Sequence, residues 1–235
     1  AASIMSIGSD YAWTVLTLCG INTLAALGLN IVFGYAGQPF LGAAACAGVG
    51  AYAAALLTTR GGASGLSALP ACVLAAAAFG ALTGLLSRKL VEDRLALATL
   101  GLAILLESFL RQLAVFGGAL GILHIPSPAL FGKDLSGAPF AVLVLALAAG
   151  GALLCRGLEL SRTGLAWKCI REDEAAAEIR GIPTAAYKVL AFAAAGALCG
   201  ASGGLRALFL HSAHPGDFGL QPSLYIVAFV MVGGA

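Results

Sequence analysis

The chain has 235 residues, of which 60% are hydrophobic and only 10% are charged, and its formal net charge is +2. Because a soluble domain carries about 25% charged residues, this composition excludes an ordinary water-soluble protein and indicates a surface that faces lipid. The small net charge gives no reason to expect a nucleic-acid partner.

The apolar residues fall into runs that approach the length of membrane-spanning helices, which need about 20 apolar residues to cross a bilayer. The predicted fold class is therefore all-α, a polytopic transmembrane helical bundle with about six to eight spans in a single domain over residues 1–235. In chain order the runs are Tyr11–Phe33, Phe40–Leu57, Leu66–Leu86, Leu95–Val115, Phe140–Cys155, Tyr187–Leu210 and Ser223–Ala235. The last run is too short to cross, so the C-terminal span is predicted to be incomplete.

Glycine and proline interrupt the helical pattern between the first and second runs. Gly34, Gly37, Pro39 and Gly42 fall within nine residues, and both residue types disfavour a helix interior. Pro39 suits the first turn of a new helix, whose free N–H groups would attract a substrate carboxylate if the break lay at membrane depth. The break is either a surface turn or part of a solute route. In the second interpretation the route is lined by Tyr35, Gly37, Gln38, Phe40 and Gly42.

The positions of Lys and Arg predict the topology. Most of them lie in two segments, residues 87–94 and 156–188, and cytoplasmic loops collect such residues. Both segments are therefore predicted to lie inside, which places residues 116–139 and 211–222 outside. Whether residues 40–57 cross or turn back, and on which side the chain begins, stays open.

Glycines spaced four apart indicate close helix packing. Gly80 and Gly84 lie in the third run, and Gly196, Gly200 and Gly204 lie in the sixth. Small residues at this spacing let helix backbones approach where lipid gives no hydrophobic drive. They predict a compact bundle and a helical partner subunit.

Two charged residues stand inside the fourth run. Glu107 and Arg111 are four residues apart, so they share one helix face and can pair. A single charge at the bilayer centre would cost about 2.5–3.5 kcal/mol, which makes an intramembrane pair a candidate functional site. The alternative is a structural pair near the outer end, where long side chains reach the interface. Arg206 is interpreted in that second way.

The segment from Ser161 to Phe192 carries an ordered set of charged and small residues. Within it, Glu174, Ala176, Ala177 and Gly181 follow the order E-x-A-A-x-x-x-G. A short helix with small apolar residues and charged flanks can seat in a groove on a soluble partner. Gly181 is expected to end that helix. The alternative is a solvated loop that only obeys the positive-inside rule.

This segment resembles the cytoplasmic coupling loop of ABC importer permeases, in the version found in the branched-chain amino-acid transport family. A second resemblance to that family lies at Leu29–Asn30, Gly34–Gln38, Leu41–Gly42 and Gly48–Tyr52. The chain departs from the family pattern at Pro39, Phe40 and Ala43, where an aliphatic residue, serine and histidine are more common. Taken together, the similar segments cover most of the chain.

The resemblance implies a permease subunit of an ATP-binding cassette importer in the bacterial inner membrane, forming half of the pathway for leucine, isoleucine, valine or a related small solute. The implied partners are a second permease subunit, two cytoplasmic ATP-binding subunits and an extracytoplasmic solute-binding protein. Coupling to the ATPases is expected in a cytoplasmic loop at about residues 156–186. The expected coupling residues are Arg162, Gly164, Arg171, Glu172, Asp173, Glu174, Ala176, Ala177 and Gly181.

The alternative function is an ion- or proton-coupled secondary transporter, which would explain Glu107 but has no need of a coupling loop. An enzyme is not predicted, because no phosphate-binding Gly-x-x-x-x-Gly-Lys-Ser/Thr loop is present and ATP hydrolysis is expected in separate subunits. His211, His214 and Asp217 lack the spacing of a metal site. No metal and no cofactor are expected.

Overall fold

The computed structural model describes residues 2–62, 64–88, 90, 92–126, 128–130, 133–134 and 137–233. Their helices are α1 (Ala2–Asn30), α2 (Ala43–Thr59), α3 (Leu69–Ser87), α4 (Glu92–Gln112), α5 (Ala138–Leu160), α6 (Arg162–Glu172), α7 (Glu174–Ile179), α8 (Thr184–Leu210) and α9 (Leu220–Gly233). The strands are β1 (Ile122–Leu123), β2 (Ala129–Leu130), β3 (Lys133–Asp134) and β4 (Ser212–Ala213), with β1 antiparallel to β4 and β2 antiparallel to β3. Lys89 of the inner segment and Ala235 of the last predicted run lie outside the described residues.

Six helical segments among the described residues are long and apolar enough to cross a membrane. They are Tyr11–Tyr35, Leu69–Ser87, Arg94–Gln112, Ala138–Leu160, Thr184–Leu210 and Pro215–Gly233. Helix α2 is also apolar but has only 17 residues, or about 25 Å against a hydrocarbon core of about 30 Å. The predicted all-α, polytopic helical bundle is therefore confirmed.

Helix α8 is the centre of the bundle, with α1, α2 and α3 packed around it. Glycines let the backbones of these helices come into direct contact. Gly196 of α8 packs on Ala76 and Gly80 of α3, and Gly50 of α2 packs directly on the Gly200 backbone. A methyl group at any of these glycines would overlap the facing helix. The predicted small-residue packing is thus present within the chain itself.

The direction of α1 follows from its contacts with α5. Gly20 packs on Val144 near the start of α5, and Leu24 packs on Gly151 further along, so the two helices run in the same direction. If the charged end of α5 is cytoplasmic, α1 also runs from the outer to the inner face. The start of α1 is then on the outer side, a point that composition left open.

The predicted end of the fifth span was wrong. The apolar run stops at Cys155, before Arg156, but α5 continues to Leu160. Long charged side chains near a helix end reach water without breaking the helix. The helix ends instead at Ser161, whose extended backbone and side-chain acceptor for the Gly164 N–H start α6. The predicted loop at 156–186 therefore contains the end of α5, two short helices and the start of α8.

The predicted interruption after the first span is present. A π-helical turn, Ile31–Tyr35, ends α1, and helix α2 begins only at Ala43 with Gly42 before it. Pro39 therefore does not lie in the first turn of α2, and that prediction was wrong. Gly37 turns the chain with a φ of 65°, and the Leu41 N–H donates to the Thr99 hydroxyl of α4 at 3.1 Å. That bond holds the chain in a non-helical path up to Gly42.

Candidate functional site

Helix α6 lies at the end of the bundle that is predicted to be the inner end, and it is anchored by Trp167. This side chain is fully buried, and its indole N–H donates to the Tyr187 carbonyl of α8 at 2.8 Å. Ile170 is buried on the same side, whereas Arg162 and Lys168 are exposed. The sequence reasoning missed Trp167, although a tryptophan in a charged segment is a signal for an anchoring residue.

Gly164 allows the sharp entry into α6. A methyl group there would overlap the carbonyl oxygens of Leu158 and Glu159 at the end of α5. The side-chain oxygen of Ser161 accepts a hydrogen bond from the Gly164 N–H at 3.4 Å. Gly164 thus acts locally, by letting the chain turn from a membrane span into a surface helix.

Helix α7 is the short helix that the sequence predicted. Asp173 starts it, because its Oδ1 accepts from the N–H groups of Ala175 and Ala176 at 2.9 and 3.1 Å. Ala177 is buried against the bundle at 1% exposure. Beyond the end of the helix, Gly181 has a φ of 84°, a conformation that glycine adopts without strain. Asp173 and Gly181 therefore fix the two ends of α7.

Two polar contacts hold α7 on the start of α8. Glu174 pairs with Lys188, with its Oε1 at 2.6 Å from Nζ, and only 4% of the Lys188 side chain is exposed. The Thr184 hydroxyl donates to the Glu178 carboxylate at 2.7 Å. On the free side of the helix, Ile179 is 88% exposed. The bundle therefore covers one side of α7 and leaves the Ile179 side open.

Arg171 brings the two predicted site groups together. Its guanidinium Nη1 donates a hydrogen bond to the Gly34 carbonyl in the π-helical turn. Its aliphatic stem lies against Gly37, where any side chain would overlap it. Glu172, the next residue, is exposed. A residue predicted for ATPase coupling therefore contacts the segment predicted for the solute route.

The residues of the helix break are packed inside the bundle. Phe40 is fully buried and meets Phe192 of α8 edge to face, with ring centroids 5.1 Å apart. Gln38 is 3% exposed, and its Oε1 accepts no hydrogen bond from any described residue. Gly42 lies beneath the Phe40 ring, and Tyr35 is half-buried. Their burial argues against an exposed surface turn.

Glu107 and Arg111 form an ion pair with an N–O distance of 2.6 Å near the C-terminal end of α4, which is predicted to be the outer end. The pair lies against the turn Pro215–Phe218 that precedes α9. The Glu107 carboxylate fills the space where a side chain at Gly219 would stand, and Arg111 is close to Gly216. The two charges therefore fix the position of this outer turn.

Metal-ligating residues do not converge in the described part of the chain, where no group of three or more His, Cys, Asp or Glu side chains could hold an ion. His211 instead bonds the Ile125 carbonyl through Nδ1 at 3.1 Å. It caps the end of α8 with a φ of 52°. These contacts give His211 a structural role.

Comparisons with known proteins agree on one family. A family model described as "branched-chain amino acid transport system / permease component" matches residues 11–235. Two relatives named "high-affinity branched-chain amino acid transport system permease protein LivM", from Escherichia coli (strain K12) and Salmonella typhimurium (strain LT2), are each 31% identical over 245 residues. Each alignment covers 94% of this chain and 58% of the relative, so the chain spans 58% of their length. No solved structure matches significantly.

Proposed function

The chain belongs to the branched-chain amino acid transport permease family, and we propose that it is the permease subunit of an ATP-binding cassette importer in the bacterial inner membrane. It forms half of the pathway for leucine, isoleucine, valine or a related small solute, as a single transmembrane domain over residues 1–235. Its partners are a second permease subunit, two cytoplasmic ATP-binding subunits and an extracytoplasmic solute-binding protein. ATP is hydrolysed in the partner subunits, so the chain is not itself an enzyme.

The docking surface for an ATP-binding subunit is the exposed face of α6 and α7. Ile179 and Leu165 are 88% and 61% exposed, and Arg162 and Glu172 lie exposed around them. Apolar residues surrounded by charges suit a groove on a soluble protein. Ala176 and Ala177 act on the opposite side, because their small size lets α7 lie close to the bundle.

Arg171 provides the observation that carries this proposal. A subunit that moves α6 also moves Arg171, which is bonded to Gly34 and packed on Gly37. Residues 36–42 have no helical hydrogen-bond ladder, so a rearrangement of this segment breaks no helix. Closure of the ATP-binding subunits would then shift the equilibrium between inward- and outward-open arrangements.

The helix break forms the inner part of the solute route in this mechanism. Tyr35, Gly37, Gln38, Phe40 and Gly42 close the route in the packed arrangement and line it when the coupling helices move. Support comes from the buried Gln38 amide oxygen, which has no donor among the described residues. A buried acceptor without a partner is costly, and an opened, hydrated route would relieve that cost.

The test is uptake by the assembled importer. Candidate partners would be taken from genes that neighbour this one, and the complex would be reconstituted in vesicles loaded with ATP. Radiolabelled leucine should accumulate only when ATP and both ATP-binding subunits are present. Equal uptake by this chain without the ATP-binding subunits, driven by a proton or sodium gradient, would instead establish the secondary transporter.

A further inference from the structure

A half-open cavity of about 190 Å³ lies between α1, α2, α8 and α9, toward the outer end of the bundle. It is lined by polar side chains from separate helices, which the sequence analysis did not place in one site. These are Asn22, Ser202, Arg206, Asp217 and Tyr225. Pockets for drug-sized ligands measure about 300–1,000 Å³, so this cavity suits a smaller solute.

Two opposite charges face each other in this cavity. The Arg206 Nη2 and the Asp217 Oδ2 are 3.8 Å apart, whereas a charge-assisted hydrogen bond is about 2.7–2.9 Å long. The Arg206 Nε is buried and has no hydrogen-bond partner among the described residues. Nε and Nη2 together form the edge of a guanidinium that binds a carboxylate through two hydrogen bonds. Because Nε is enclosed, binding a carboxylate through this edge requires the Arg206 side chain to turn toward the cavity that it lines.

We propose that this cavity binds the zwitterionic head group of an α-amino acid, with its carboxylate on Arg206 and its ammonium on Asp217. In a zwitterion the two charged groups are attached to one carbon, so they match two protein charges that lie this close together. Ala25, Ala44 and Ile226 provide an apolar wall for an aliphatic side chain. Uncharged amides and urea lack this charge match. The inference rests on the proposed function, and it narrows the solute to amino acids.

The position of the cavity fits a transport route. Asn22 of α1 and Tyr225 of α9 are exposed at its mouth, and polar side chains within spans face protein or a water-filled path rather than lipid. A second permease subunit would form the opposite wall of that path. Asp217 belongs to the outer turn that Glu107 and Arg111 hold in place. The Glu107–Arg111 ion pair thus helps to hold Asp217 in position at the binding site.

The experiment is ligand protection of a cysteine in the assembled importer. All native cysteines are replaced by alanine, and Tyr225→Cys or Leu224→Cys is introduced. Tyr225 lines the cavity and Leu224 does not, but their exposures, 56% and 47%, are similar. The rate of alkylation by a small maleimide is measured in detergent with leucine. It is also measured with 4-methylpentanoate, which lacks the amine, and with 3-methylbutylamine, which lacks the carboxylate.

Leucine should slow alkylation of the Tyr225→Cys protein and leave the Leu224→Cys protein unchanged. Neither fragment should protect at the same concentration. Arg206→Gln or Asp217→Asn should raise the leucine concentration needed for protection about tenfold to a hundredfold, the range expected for a lost charged hydrogen bond. Arg206→Lys keeps the charge without the planar edge and should give a smaller increase. Copurification of the partner subunits checks that each variant is assembled.

Three results would overturn the inference: no protection at position 225, equal protection at both positions, or equal protection by leucine and one of its fragments. An unchanged protection curve in both Arg206→Gln and Asp217→Asn proteins would do so as well. These failures differ from failure of the proposed function. If ATP-dependent leucine uptake is intact but position 225 is not protected, only the cavity assignment is wrong.

Discussion

The inner and outer ends of the bundle both carry charged side chains, but the two ends use them differently. At the inner end, Glu174 pairs with the buried Lys188 and Arg171 bonds the Gly34 backbone. Each contact joins one structural element firmly to another. At the outer end, Arg206 and Asp217 stand 3.8 Å apart beside a cavity. The Glu174–Lys188 and Arg171 contacts hold structural elements together, whereas the Arg206–Asp217 pair leaves capacity for a ligand.

This difference shows why charge in a membrane protein has to be interpreted with its surroundings. Removing one partner of a buried ion pair is strongly destabilising, because the other charge is left uncompensated. At the inner end this applies to Lys188, whose side chain is 4% exposed. The Arg171 bond to Gly34 joins α6 to the helix break and suits the transmission of movement. Arg206 and Asp217 stand farther apart, beside a half-open cavity. Each of them can therefore exchange the other for a charged group of a solute.

Arg171→Ala should break the link at the inner end. It removes a charged hydrogen bond to Gly34 and the packing on Gly37, so we expect ATP-dependent uptake to fall about tenfold to a hundredfold. Membrane insertion and copurification with ATP-binding subunits should be retained. The matched control is Lys168→Ala on the same helix, because Lys168 pairs with the half-buried Glu159 at 2.9 Å rather than with the break. Equal loss of uptake in both variants would show that α6 needs its charge and not this contact.

Gly37→Ala should have the next largest effect. A left-handed backbone costs a non-glycine residue about 1–2 kcal/mol, and the new methyl group would also overlap Arg171. Gly62→Ala is the matched control, since Gly62 has a φ of 62° but no heavy atom within 4 Å of an added Cβ. Thermal unfolding and uptake are both measured. If the two variants lose the same stability and uptake, the Arg171 contact does not matter.

Glu107→Gln should have the smallest effect. It breaks a pair with Arg111, whose side chain is 52% exposed, and such i,i+4 pairs contribute about 0.3–0.5 kcal/mol. Because the pair positions the turn that carries Asp217, we expect a modest rise in the KM for leucine uptake with little change in kcat. A proton-coupled carrier that used Glu107 would lose transport completely, and that result would favour the alternative function.

The spans could be predicted because hydropathy reports directly on which residues tolerate lipid. The ends of the spans were harder to predict from the sequence. Arg156 looked like the end of the fifth span, but α5 continues to Leu160 because its charges reach the interface. Pro39 looked like a helix start, but the Leu41 N–H is bonded to Thr99. Both errors arise from tertiary surroundings that a local pattern does not contain.

The candidate sites divide in the same way. The C-terminal end of α7 was predictable, because Gly181 is a local signal that needs no distant partner. The Arg171 contact with Gly34 joins residues 137 positions apart, and the cavity depends on single polar residues from separate helices. Asn22 and Ser202 are ordinary polar residues in apolar runs when they are considered alone. Only the packing of α1 against α8 and α9 brings them together.

The burial of the Lys188 side chain matters for the folding of the chain. Lys188 lies in the first turns of α8, with 4% of its side chain exposed, and both carboxylate oxygens of Glu174 contact its ammonium. Without that partner, burial of the Lys188 ammonium would destabilise the packed position of α8, because a buried charge without its partner is costly. Docking of α7 places the Glu174 carboxylate against that ammonium. A chain whose α7 does not fold therefore leaves the Lys188 ammonium without its carboxylate partner.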